Sequence, residues 1–120
     1  MRGAVVFLMF ISTIVAPTTG YAAPRYDGIW SVSVITEKGD CAASYRYPML
    51  VANGVVGNAG SADIAVRGSV APSGAVRVVV SQGNSSASGY GRLFATVGRG
   101  LWRGGACSGS WTAERRNSSW

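Results

Sequence analysis

The sequence predicts an all-β domain, a single antiparallel meander of seven or eight short strands closed as a barrel or sandwich. Three observations carry that prediction. Beyond residue 26 the apolar residues alternate with a period of two, and no helical period appears. Turn signals, chiefly Asn53-Gly54 and Pro72-Ser73-Gly74, punctuate the runs at regular spacing. The runs are also short and numerous, and closing such a sheet covers strand edges that would otherwise pair with other chains.

The chain of 120 residues opens with a basic Met1-Arg2 and an apolar run from Ala4 to Ala16, ended by Pro17. A membrane-spanning helix needs roughly 20 apolar residues. This run is shorter, and polar Thr18 and Thr19 follow it, so residues 1–22 read as a secretory signal. Gly20 and Ala22 suit the small positions before the cut, which makes 23–120 the mature domain with a short polar tail. Its expected place is the periplasm or the extracellular space. No cysteine follows the cut, so lipid anchoring is not indicated. A domain this small buries a modest share of its surface, and a covalent staple helps it. Cys41 and Cys107 are the only cysteines, and an even pair in an exported chain reads as a disulfide. The alternative is two separate buried thiols.

Taken in order, Asp27 to Thr36 alternates as a half-buried strand with Trp30, Val32 and Val34 on one face. Glu37 to Asp40 reads as a four-residue turn, and the strand from Cys41 to Val51 puts Cys41, Ala43, Tyr45, Tyr47 and Met49 on one face. The parity of that turn predicts Val34 opposite Ala43, Val32 opposite Tyr45 and Trp30 opposite Tyr47. Pro48 cannot donate to a ladder, which predicts an edge or a bulge there. After Asn53-Gly54 comes a glycine-rich piece, Val55 to Ser61, and then a strand from Ala62 to Val70 with Ile64, Val66 and Val70 inward. Val76, Val78 and Val80 point inward from the next strand. The shared parity of these two inward sets requires an odd loop, which Pro72-Ser73-Gly74 supplies with Gly74 left-handed. Gln82 to Ser88 reads as a polar turn, Gly89 to Val97 as a strand with Leu93 or Phe94 inward, and Gly98-Arg99-Gly100 as its turn. Leu101 to Arg103 begins another strand, broken at Gly104-Gly105. Cys107 to Arg115 closes the domain, with Cys107, Gly109, Trp111 and Ala113 on one face.

A Gly-x-Trp unit recurs at Gly28-Trp30, Gly100-Trp102 and Gly109-Trp111. In a strand the two residues share a face, and the missing side chain leaves room for an indole to lie over backbone. Trp30, Trp102 and Trp111, with Tyr45 and Tyr47, therefore read as structural aromatics of the core. Were one of the tryptophans on an outer face, it could instead stack a sugar or a base.

Removing Arg2 with the signal leaves ten basic residues against five acidic ones, and nine of the ten are arginine. Such a balance attracts anionic partners. Arg67, Arg77, Arg92, Arg99 and Arg103 are the candidate anion-binding residues for a glycan or lipid surface. The alternative is that arginines spread along the chain serve solubility only.

Much catalytic chemistry is excluded by residue type. The chain has no histidine, which removes Ser-His-Asp triads, imidazole acid-base catalysis and histidine metal sites. With both cysteines paired no thiolate nucleophile remains. Lys38, the only lysine, lacks a Ser-x-x-Lys spacing. Glu37 and Asp40 share one exposed turn, while Asp27, Asp63 and Glu114 are isolated, so a carboxylate pair of the glycosidase kind is not indicated. Gly98-x-Gly100 lacks the remaining parts of a dinucleotide site. No cofactor and no metal are expected.

Asp27-Gly-Ile-Trp30-Ser-Val, Gly-Leu-Trp102-Arg-Gly and Cys107-Ser-Gly-Ser-Trp111-Thr-Ala-Glu-Arg115 together resemble small exported proteins of rhizobial and related alphaproteobacteria. That resemblance implies export and a small β fold, and it carries no established activity. Trp30 followed by Cys41 in a small exported barrel is also similar to the periplasmic inhibitors of secreted metalloproteases, which block the protease with an N-terminal segment. The sequence thus leads to a non-enzymatic exported β domain that binds an anionic envelope component or a protein, with protease inhibition as the alternative.

Overall fold

The computed structural model describes residues 24–60 and 63–116. A short 3-10 turn, Pro24–Tyr26, leads into eight strands: β1 (Gly28–Lys38), β2 (Ser44–Ala52), β3 (Val55–Asn58), β4 (Ala65–Val70), β5 (Ala75–Gln82), β6 (Ser85–Phe94), β7 (Val97–Gly104) and β8 (Cys107–Arg115). Each strand pairs antiparallel with the next, and β8 returns to pair with β1, so the sheet closes as a barrel in chain order. The expected all-β class, the antiparallel meander and the disulfide are all present, and closure is by barrel rather than sandwich. The signal segment and its cut, the polar tail from Asn117 to Trp120, and the junction at 61–62 lie outside the described residues. The eight strands, the disulfide and the 3-10 turn fall within residues 24–116.

The two-residue period decides which side chains enter the barrel. Trp30 and Val32 from β1, Met49 and Val51 from β2, Val56, Val70, Val76, Leu93, Trp111 and Ala113 meet in one core, with Val34, Tyr47, Val66, Val78, Val80 and Trp102 packed against it. Outward positions carry polar side chains together with exposed apolar ones, among them Val79, Tyr90 and Leu101.

The Asn53-Gly54 turn is as expected, with φ of 52° and 80° at its two residues, both left-handed, as a tight hairpin turn requires. Ala71 and Ala75 are joined by a 2.8 Å backbone hydrogen bond. They enclose the three-residue loop, and Gly74 takes φ 94° as predicted.

Three expectations are corrected. In the first hairpin Trp30 faces Met49, Val32 faces Tyr47 and Val34 faces Tyr45, a shift of two residues from the predicted register. The connection is longer than four residues because β1 runs to Lys38 and β2 starts only at Ser44, while Cys41 is drawn out of the ladder to Cys107. A slip of two keeps every side chain on its face, so the core set is unchanged. The polar stretch at 82–88 is mostly strand: a two-residue turn at Gly83-Asn84 suffices, and Ser85 to Ser88 pair with Val79 to Gln82. Gly98 and Gly100 lie inside β7, and the chain reverses at Ala95-Thr96, with Ala95 left-handed at φ 44°. Those glycines make space for neighbours and do not punctuate the chain. A methyl group on Gly98 would stand 2.5 Å from Leu93 Cδ2.

Pro48 sits where the β2–β3 ladder has ended, since that ladder begins at Met49. Its missing donor therefore falls on a local edge inside an otherwise closed sheet.

Candidate functional site: an apolar cavity and an outer arginine wall

One end of the barrel is plugged. Trp30, 2 % exposed, donates from Nε1 to the Tyr26 carbonyl at 2.9 Å. Arg115, its register partner on β8, places its guanidinium 5.2 Å from the Trp30 ring centroid and donates from Nη2 to the Arg25 carbonyl. Tyr26 is buried, and its hydroxyl lies 3.0 Å from where a Cβ on Gly74 would be. These contacts hold the 3-10 turn across the base, and they engage Arg25 and Tyr26, the part of the lead-in that the inhibitor reading would need free. Neither Tyr26 nor Arg115 is a site candidate by sequence pattern. An aromatic just before β1 and an arginine at the end of β8 are the signals that could have found them.

Above the plug the interior holds a cavity of about 960 Å³. Its floor is apolar, including Trp30, Met49, Val56, Val76, Leu93 and Ala113. Its mouth lies at the opposite end, among the loops at 39–41, 82–85 and 104–106, where Asp40, Gln82, Asn84 and Ser85 line it, with Ser86 and Ser88 of β6 also among the polar lining residues. The Cys41–Cys107 disulfide, with a Cα–Cα distance of 6.2 Å, ties the β1–β2 loop to the first residue of β8 on this rim. The staple therefore shapes the mouth as well as restricting the unfolded chain.

Aromatic residues line the upper wall. Tyr45 and Tyr47 are two apart on β2 and stack with ring centroids 6.0 Å apart. Burial pushes the Tyr47 phenol above its ordinary pKa, and the Tyr45 phenol beside it adds to the rise. Trp102, opposite Gly109, donates from Nε1 to the Ile35 carbonyl at 2.9 Å, spanning β7, β8 and β1. Trp111, opposite Gly100, is buried with its Nε1 unpartnered. Trp30 and Trp111 belong to the core, Tyr47 and Trp102 pack against it, and Tyr45 is exposed and lines the cavity.

Outside, the structure brings together arginines that are distant in sequence. Arg67, Arg77, Arg92, Arg99 and Arg103 are all exposed and project from the consecutive strands β4 to β7. Arg77 faces Tyr90, which faces Leu101; Arg92 faces Arg99; Arg67 faces Val79, which faces Ser88 and then Arg103. The strand segments of this wall contain no Asp or Glu. The consecutive pairing of β4 to β7 makes one surface of them.

The carboxylates do not converge. Asp27 Oδ1 accepts from the Asn53 amide at 2.9 Å, Glu37 accepts from Ser110 Oγ at 3.2 Å, Asp40 lines the mouth, and Glu114 faces outward beside Val97. Among the described residues no group of three or more His, Cys, Asp or Glu side chains could hold a metal ion.

No protein-family model matches this chain, and no curated protein or solved structure is significantly similar to it.

Proposed function

We propose that this is a non-enzymatic binding protein that takes one small, largely apolar molecule into the barrel. The observation that carries the reading is the cavity of about 960 Å³, lined mostly by apolar side chains, with its one charged lining residue, Asp40, in the β1–β2 loop. Eight-stranded barrels are wide enough to hold one small ligand, and small-molecule sites are concave, mostly apolar and fitted with few polar groups. The lining orders the ligand: a hydrocarbon or ring portion inward, a polar end at the rim. Asp40 is the sole charged residue of that lining, so the polar end is neutral or cationic. The disulfide supports an oxidising compartment, in keeping with an exported protein.

Titration of residues 23–120 with a neutral naphthylamine fluorophore tests the reading. Saturable one-to-one binding with blue-shifted emission, displaced by long-chain alcohols, is expected. Val78→Phe, which enlarges an inward side chain flanked by Gly68 and Gly89 on the two neighbouring strands, should weaken binding while the barrel stays folded. Failure of the folded wild-type domain to bind either probe would overturn the proposal.

A further inference from the structure

The outer wall carries a second site, independent of the cavity. We propose that the β4–β7 wall docks the barrel, lying on its side, on an anionic lipid bilayer. Charge is the first argument. Five exposed guanidinium groups stand on four adjacent strands that contain no carboxylate. Arg92 and Arg99 are direct cross-strand partners, an arrangement of like charges that opposes folding. A negatively charged surface against the wall turns that repulsion into attraction.

The second argument is what lies between the arginines. Val79, Tyr90 and Leu101 are 43 %, 56 % and 49 % exposed, and Tyr90 and Leu101 face each other in the row next to the Arg92–Arg99 pair. Phe94, with Arg99 over its ring at 5.7 Å, extends the apolar strip. Beneath them a shallow recess is floored by Gly91, Gly100 and Trp111 and edged by Arg92, Arg99 and Leu101. Guanidinium groups pair with phosphate in a forked geometry, while tyrosine and branched aliphatic side chains partition into the interfacial region of a bilayer. A nucleic acid would use the arginines and Tyr90 but gains nothing from Val79 and Leu101. The convex outside of a barrel also offers no groove to follow a strand, so the lipid surface fits better.

Sedimentation of residues 23–120 with vesicles tests the docking. Binding to equal mixtures of phosphatidylglycerol and phosphatidylcholine is expected, with little to phosphatidylcholine alone and a steep loss on adding salt. Each basic residue at such a surface changes partitioning about five-fold, so Arg92→Gln with Arg99→Gln should lower it about 25-fold. Arg46→Gln with Arg116→Gln removes the same charge from exposed positions off the wall and should change it far less. Tyr90→Ser with Leu101→Ser should remove the binding that survives high salt. Equal losses from the two arginine pairs, equal binding to both vesicle types, or tighter binding to a single-stranded oligonucleotide than to anionic vesicles would each overturn the proposal. None of these variants touches the cavity lining, so fluorophore binding separates a failure here from a failure of the interior site.

Discussion

Trp111 on β8 and Gly100 on β7 face each other across the ladder, and a methyl group on Gly100 would stand 2.6 Å from the indole and 2.0 Å from the Tyr90 carbonyl oxygen. Gly91 faces Gly100 from β6 and leaves the same indole room, since its Cβ would lie 2.7 Å from Trp111 Cζ2. Trp30 and Trp102 are each held by a hydrogen bond to a carbonyl, whereas Trp111 Nε1 has none. Packing in the glycine bed alone fixes it. Gly100→Ala should therefore destabilise the domain by about 3 kcal/mol, the upper range for overpacking a core. Urea unfolding measures it. The double variant with Trp111→Phe should recover part of the loss, giving a coupling energy of about 1 kcal/mol; strict additivity would show that the clash lies with the backbone alone.

The same pair explains where reading the sequence stopped. Trp and Gly two apart share a face along one strand, but the glycine that makes room for the Trp111 indole is Gly100 of the neighbouring strand, while the space at Gly109, opposite Trp102, is closed by Ile35 backbone. Strand alternation placed Cys107, Gly109, Trp111 and Ala113 on one face correctly, because the period of two is local. Register in the first hairpin was not local. Its connection carries Cys41, whose disulfide partner Cys107 lies 66 positions away, and β2 begins only at Ser44. The arginine wall was hidden for a related reason. With 82–88 and 98–100 read as turns, the strands that carry Arg92, Arg99 and Arg103 were misbounded, so residues that look scattered from 67 to 103 become neighbours only in the true register of β4 to β7.

Replacing Cys41 and Cys107 with serine should cost about 4 kcal/mol in the chain-entropy account of a cross-link enclosing a loop this long. The eight-strand ladder does not depend on the bond for its inward set, so the far-ultraviolet spectrum under native conditions should survive. The mouth should not keep its shape, because the β1–β2 loop loses its anchor on β8. Weaker fluorophore binding with retained β signal is the expected pattern, and unchanged stability would show that the unfolded chain is already compact.

Arg115→Ala should release the base plug. The guanidinium both covers the Trp30 ring and bonds the Arg25 carbonyl, contacts worth together about 2 kcal/mol. Arg115→Lys keeps the charge but not the planar fork and should restore less than half of it. Trp30 fluorescence at the base should shift to longer wavelength in the alanine variant, as water reaches an indole that is 2 % exposed in the closed barrel.

Alkaline pH probes Tyr47. Burial, with Tyr45 beside it, raises the folded phenol above the unfolded value of 10.0, so the fold favours its neutral form. The sign follows from linkage: the contribution is complete below pH 10.0 and is lost as pH rises through the higher folded value, because the unfolded chain gives up the proton first. Tyr47→Phe has no proton to lose there. Its unfolding free energy should fall less than that of the wild type between neutral pH and a pH just above 10.0. Phenolate absorbance should also lose the component that titrates above the ordinary phenol value in the variant. Identical alkaline losses in the two proteins would place the pH dependence on other groups and remove Tyr47 from the account.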